Sequence, residues 1–254
     1  MTAGGKSTQE PASREMSFLD HLEELRWRLI KSVIAVFTGA AACYFFANHI
    51  LNFLTRPLHA IDPMPKLIFL APTGMFMIQI MVALVCGLAM ALPVVVYQIY
   101  AFVMPGLYPR ERRYVAPIIL MTMVCFLAGA AFAYYLIIPV GLKFLLGLAT
   151  PDIVPQLAIG EYMSFVTQIM LAFGLVFEMP VLAMFLTKIG IMSPRFLRTK
   201  RRYAIVIITI AAAIITPTID FFSQGMMIVP MIILYEISIL LSAAVYKKRQ
   251  TSEV

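Results

Sequence analysis

Charge is what this sequence has least of. Only 13% of its 254 residues are Asp, Glu, Lys or Arg and 61% are hydrophobic, whereas soluble domains carry about 25% charged residues. A water-soluble fold lacks the interior volume to hide that much apolar surface, and a disordered chain has the opposite composition. Histidine is scarce: His21, His49 and His59 are the only three, and only His49 lies in an apolar run. That excludes a pair of axial ligands for a buried haem, and His49, near a helix end, reads as an interfacial residue. Cys43, Cys86 and Cys125 sit inside apolar runs without C-x-x-C spacing. Neither a zinc site nor a disulfide framework is indicated, and they read as small core residues. Phosphate-loop, zinc-protease and nucleophile-elbow signatures are missing, so no enzyme, cofactor or metal is expected. No signal peptide is read in the polar stretch Met1 to Met16, and residues 1–16 are expected to form a disordered tail.

What remains is a polytopic, all-α membrane protein, with lipid as the solvent for most of the chain. Six long apolar runs are present, at about residues 32–54, 67–104, 114–142, 162–187, 204–219 and 225–246, all but the fifth reaching the ~20 residues a spanning helix needs and the second long enough to tilt or project beyond the bilayer. The last pair could instead be one hairpin dipping into the membrane, turning at Thr216-Pro217-Thr218-Ile219-Asp220. Six spans put both termini on one side. On that count 17 of the 20 basic residues share the side of the termini, and only Arg56, Lys66 and Lys143 lie opposite. The positive-inside rule then makes the termini cytoplasmic, and the net charge of +7 is a topological signal, not a nucleic-acid footprint. The expected organisation is a tail, a membrane domain over residues 17–246 and a second tail over residues 247–254.

Span punctuation adds detail. Pro93 should kink the second run. The fifth run is only about 24 Å of helix, so a local distortion of the bilayer is expected beside it. Pro57, Pro63, Pro65, Pro72, Pro151 and Pro155 stiffen the outer loops, which should be structured caps. No internal repeat is visible, which counts against an inverted-repeat transporter.

Few residues can carry chemistry. Glu178 lies deep in the fourth run, in Phe173-Gly174-Leu175-Val176-Phe177-Glu178-Met179-Pro180, where a carboxylate needs a partner, a wet cavity or a proton. Pro180 leaves the Val176 carbonyl without its helical donor. Thr167, Gly174 and Glu178 share one side of the helix. Two readings stand: a protonated glutamate bonded to a neighbouring helix, or the polar lining of a membrane-embedded groove. Ahead of span one, Ser17 and Asp20 fit a capping box, and Phe18, Leu22, Leu25 and Leu29 share a face, giving an interfacial amphipathic helix. Asp20 and Glu24 repel at i,i+4 spacing, which suits a guest cation; equally, Glu24 pairs with Arg28. Glu111 is the one acid among Arg110, Arg112 and Arg113 and is most simply a local charge balance.

Together these segments resemble the TatC family, the multi-spanning subunit of the twin-arginine protein translocase. The likeness rests on Phe18-x-x-His21-Leu22-x-Glu24-Leu25-Arg26-x-Arg28, Pro105-x-Leu107-Tyr108-x-x-Glu111-Arg112, Phe173-Gly174-x-x-Phe177-Glu178-x-Pro180, and Thr216-Pro217 with Asp220 and Gln224. It extends from Phe18 to Tyr246. The resemblance implies a six-helix cupped bundle in a bacterial or archaeal cytoplasmic membrane. It implies a receptor for the twin-arginine signal peptides of folded cargo, working in an oligomeric complex with single-span TatA/TatB-type partners and driven by the proton gradient. It places Glu24 and Glu111, with Arg26 and His21 in the same motif, at the signal-peptide site. Glu178, with Thr167, becomes the membrane-buried polar element, and Asp220 and Gln224 the outer-loop partner contacts. Pro57, Pro93 and Pro180 remain structural. A guanidinium pair suits carboxylates because its planar fork binds them bidentately, as ammonium does not. Gly74 departs from the pattern, standing where many relatives carry an acid. Two other readings compete: a proton-coupled small-molecule transporter using Glu178, and a structural membrane scaffold.

Overall fold

The computed structural model describes residues 18–61, 65–103, 115–148, 156–216 and 220–252. Among these the chain is helical apart from two three-residue strands. Helix α1 (Phe18–Phe45) is followed after one residue by α2 (Ala47–Thr55) and a 3-10 turn (Arg56–Ala60). The segment expected to lie as a separate interfacial helix is thus the first part of one unbroken helix with span one. Strand β1 (Lys66–Ile68) precedes α3 (Gly74–Val103), so the charge-free run that begins at Leu67 opens as strand and loop before it becomes helix. Helices α4 (Val115–Phe132) and α5 (Ile138–Gly147) are joined by a π-helical turn (Ala133–Ile137). Pro139 lies just beyond that turn, where its missing N–H and its ring disfavour regular α pairing.

Strand β2 (Gln156–Ala158) leads into α6 (Ile159–Val176), then α7 (Met179–Lys188) and the short α8 (Pro194–Thr199). Helices α9 (Arg201–Ile215) and α10 (Phe221–Ser252) complete the chain. Among the described residues five helices or helix pairs are long and apolar enough to cross a membrane: α1, α3, α4–α5, α6–α7 and α10. Helix α9 has 15 residues, about 22 Å, against a hydrocarbon core of about 30 Å. Helix α10 runs on to Ser252, through most of the stretch expected as a tail.

The principal contacts run α1 to α3, α3 to α4, α4 to α6 and α7, α7 to α10, and α10 to α9. Helix α3 also meets α6, and α9 also meets α6 and α8. Hydrophobic burial cannot drive helix association in lipid, so small residues and close backbone approach do. At the α1–α3 crossing a Cβ on Gly87 would lie 2.3 Å from the Ala40 backbone nitrogen. At the α4–α6 crossing a Cβ on Gly129 would lie 2.5 Å from the Phe173 carbonyl oxygen, and one on Gly174 would lie 2.6 Å from the Phe126 ring. Helices α7 and α10 are tied by a fully buried 2.6 Å hydrogen bond between the Thr187 and Ser242 hydroxyls.

Pro63, Pro151 and Pro155 lie outside the described residues. Ahead of α3 and α6 the chain pairs with itself through parallel strands, Lys66 opposite Gln156 and Ile68 opposite Ala158. Pro57 explains the anchor next to them. It lacks the N–H that would reach the Phe53 carbonyl in a continuing helix, and the Tyr134 hydroxyl donates to that oxygen at 2.7 Å. The Tyr162 hydroxyl donates to the neighbouring Leu54 carbonyl at 2.8 Å. These carbonyls at the end of α2, of which Phe53's also accepts the Arg56 N–H, thereby bind it to the π-helical turn and to α6. Leu58, Ile137, Ile138, Met163 and Val166 fill the core behind them. Helix α3 continues through Pro93.

Candidate functional site

Two acids are built into the bundle, on opposite sides of α3. Glu24 lies on α1 at the end where α3 finishes. Its Oε1 accepts hydrogen bonds from Arg28 Nε at 2.9 Å and from Arg28 Nη2. Its Oε2 faces His21 Nδ1 at 3.8 Å. Arg28 also donates to Gln98 Oε1 of α3 at 3.4 Å, and the His21 ring stacks on Phe102 of α3 at 4.2 Å between centroids. The local pairing of Glu24 with Arg28 is therefore present, and it sits inside a cross-helix arrangement that fixes the acid. The Glu24 side chain is 23% exposed, so it is reachable yet partly desolvated. Arg26, two residues on, is exposed and points away from this cluster. Leu22, Leu25 and Leu29 remain exposed as well.

Glu178 is 7% exposed and is the only buried acid among the described residues. It stands at the break between α6 and α7, where Pro180 in the first turn of α7 ends regular pairing. The polar groups against it are the Thr122 hydroxyl and the Phe126 backbone of α4. The buried hydroxyl of Tyr100 on α3 lies within electrostatic reach. Glu178 Oε1 and Tyr100 Oη have no hydrogen-bond partner among the described residues. Gly174 admits the Phe126 ring as the one-sided helix pattern anticipates. The Thr167 hydroxyl bonds the Met163 carbonyl at 2.6 Å, a back-bond within α6. Gln98 and Tyr100 are two residues apart on α3, so they face opposite ways, one to Glu24 and one to Glu178. The two acids do not share a pocket.

A family model for the Sec-independent protein translocase protein (TatC) matches residues 20–230. The chain belongs to the TatC family. It is 39% identical to the Sec-independent protein translocase protein TatC of Aquifex aeolicus, over 92% of this chain and 98% of that protein. It is 40% identical to the TatC of Koribacter versatilis, over 95% of this chain and 90% of that one. A crystal structure titled as the twin arginine translocase receptor TatC superposes with a TM-score of 0.79 at 41% identity, covering 87% of this chain and 97% of that chain. As a TatC-family member the chain is a multi-pass membrane subunit of the Tat protein translocase complex, and not an enzyme.

The remaining sites of this TatC-family chain are placed as follows. Asp220 Oδ1 accepts the Ser223 N–H at 2.6 Å, capping α10. Gln224 Nε2 reaches the Thr209 carbonyl of α9 at 3.4 Å. Asp220 thus caps α10 and Gln224 ties α10 to α9, both just after residues 217–219, which lie outside the described residues. Glu111, with Pro105 and Tyr108, also lies outside them. Gly74 opens α3 with no atom within 4 Å of where its Cβ would be. Glu236, near the middle of α10, is not a second buried acid: it is exposed and bonds Arg201 of α9 at 2.5 Å. Thr122, Tyr100 and Gln98 were not singled out from sequence. The available signal was a lone polar group inside an apolar run, as in Met121-Thr122-Met123 and Tyr97-Gln98-Ile99-Tyr100.

Proposed function

We propose that this chain is the signal-peptide receptor of its Tat translocase, receiving the twin-arginine motif of folded cargo at the end of the bundle that carries Glu24. The observation that carries this reading is the way Glu24 holds a guanidinium. The Arg28 Nε and Nη2 donors converge on Oε1, while among the described residues Oε2 meets only His21, at 3.8 Å. A second guanidinium can bind the open oxygen, or displace Arg28 without leaving a bare carboxylate. Partial burial strengthens such a charge-assisted contact relative to a fully solvated one. His21, stacked on Phe102, is the aromatic wall beside it. Glu111 is the second carboxylate of the site, on the segment that joins α3 to α4.

The basic face argues that this end is cytoplasmic, with α9 as a sixth, short span and the bacterial or archaeal cytoplasmic membrane as the location. The outer junction of α9 and α10, held by Asp220 and Gln224, is the contact region for single-span TatA/TatB-type partners. Glu178, buried beside Thr122 and Tyr100, is the polar element inside the membrane-spanning part of the bundle.

Photocrosslinking of a twin-arginine signal peptide to the full chain in membranes tests the receptor reading. Glu24→Gln and Glu111→Gln should each reduce crosslinking while leaving detergent-solubilised protein monodisperse. Undiminished crosslinking in both variants refutes it. Labelling of single cysteines placed at the two ends of α9, in intact cells, tests the sixth span: the ends should react from opposite sides.

A further inference from the structure

Between Glu178 and Asp220 the chain carries six basic residues and no acid. Five of these, Arg195, Arg198, Lys200, Arg201 and Arg202, fall within eight residues. The fold sets them at one corner, on α8 and the start of α9. The inner side of that corner is anchored: Pro194 and Leu197 are buried, and the Tyr235 hydroxyl of α10 donates to the Leu197 carbonyl at 2.8 Å. The outer side carries Arg195, Arg198, Lys200 and Arg202, all exposed. Arg201 is taken by Glu236. The other four have no carboxylate partner among the described residues. Lys200 and Arg202 both lie against Tyr203, at 5.1 and 5.2 Å from its ring centre, which holds their charged heads near one point.

The surroundings decide what such a cluster recognises. Immediately beyond it, Ile205, Val206 and Ile207 form the exposed apolar face of α9, and Phe196 and Ile191 are exposed beside the cations. Because α9 spans only about 22 Å, its charged end is drawn toward the hydrocarbon boundary of a bilayer with a core of about 30 Å. Cations interleaved with exposed aromatic and aliphatic groups at that depth match a ligand with a phosphate head and an apolar body. A soluble acidic protein would use the charges and leave Phe196 and Ile191 unused.

We propose that Arg195, Arg198, Lys200 and Arg202 bind anionic phospholipid of the leaflet at the α8 end of the bundle. The bound headgroups hold the short α9, and α10 through the Arg201–Glu236 pair, at a fixed depth in a locally thinned bilayer. The proposal stands independently of the signal-peptide reading.

The test is native mass spectrometry of the full chain extracted from phosphatidylcholine vesicles containing a minor fraction of phosphatidylglycerol. The wild type should retain phosphatidylglycerol in excess of its share in the vesicle. Arg195→Gln/Arg198→Gln/Lys200→Gln/Arg202→Gln should lower that enrichment by about tenfold or more, since each Lys or Arg near an anionic surface contributes several-fold. Replacing the three arginines by lysine should preserve it, and Lys66→Gln/Lys143→Gln at the opposite end should not change it. Helical circular dichroism establishes that the variants are folded, and Arg195→Gln/Arg198→Gln alone serves if the quadruple variant is not. Unchanged enrichment in the Gln variants overturns the proposal. So does equal loss from Lys66→Gln/Lys143→Gln, displacement of the lipid by inorganic phosphate alone, or tighter binding of a polyglutamate peptide than of phosphatidylglycerol vesicles.

Discussion

Gly87→Ala is the smallest change that should dislodge α1. The added Cβ would lie 2.3 Å from the Ala40 nitrogen, 2.5 Å from the Ala40 Cα and 2.8 Å from the Gly39 carbonyl carbon. Non-bonded carbon atoms settle at about 3.5–4.0 Å, so the two backbones must part by more than about 1 Å at the crossing. Neither contact is a side chain that can rotate away. Helix α1 has little else to hold it: among its described residues only Cys43 is buried, and its main partner is α3. A gap of that size forfeits a quarter to a half of each dispersion contact across the seam. Overpacking in cores costs about 1–3 kcal/mol, and a backbone-limited clash belongs at about 3 kcal/mol, the top of that range. Denaturant unfolding in mixed micelles, followed by helical circular dichroism, measures it. Gly74→Ala, where nothing lies within 4 Å, is the control and should stay within about 0.5 kcal/mol of wild type. Because the clash is with the Ala40 main chain, Ala40→Gly should not rescue Gly87→Ala. A wild-type stability for Gly87→Ala, or full rescue by Ala40→Gly, refutes the close-crossing account.

Gly174→Ala meets a side chain instead, the Phe126 ring at 2.6 Å. It should destabilise by about 1–3 kcal/mol and be partly rescued by Phe126→Leu, read in the same unfolding assay. Tyr162→Phe removes the donor to the Leu54 carbonyl and should cost about 1 kcal/mol, with faster amide exchange at the end of α2. A double-mutant cycle of Thr187→Val and Ser242→Ala should give a coupling of about 0.6 kcal/mol, at most about 1.7 kcal/mol, the range for interhelical hydrogen bonds in membranes. Gly74→Glu should fold and assemble normally, because the position is open; loss of folded protein would show a constraint there that the geometry does not contain.

Much of this architecture was legible because composition and charge speak directly to lipid. The uncharged stretches read as spans, and their ends fall within about five residues of those of α4–α5 and α6–α7, while α3 begins seven residues after its run opens. Pro180 marked the break beside Glu178, and Gly174 the close neighbour. Hydropathy does not separate strand from helix in a short apolar segment, so β1 was hidden at the head of the charge-free run that opens at Leu67. The long-range pairing of β1 with β2 leaves no local signal at all. Amphipathic periodicity placed Leu22, Leu25 and Leu29 on one face, yet periodicity cannot say where a surface helix ends and a span begins, and α1 runs through both. Helical spacing puts Thr167 and Glu178 on one side of the helix, but spacing does not reveal that the threonine's hydroxyl bonds the Met163 carbonyl of its own helix, a competition intrinsic to Ser and Thr. Thr122, Tyr100 and Gln98 come from other helices, and which face of α3 meets which neighbour is set by crossings such as Gly39–Gly87, invisible to one-dimensional pattern.

The central claim is that carboxylates at the Glu24 end read paired guanidinium groups. It is tested most directly by the affinity ratio of a twin-arginine signal peptide to its twin-lysine counterpart, measured with the full chain in nanodiscs. The bidentate geometry predicts a clear preference for arginine in the wild type, and collapse of that ratio toward one in Glu24→Gln/Glu111→Gln, with the loss falling on the arginine peptide. An unchanged ratio in the double variant, with the protein folded, contradicts the account.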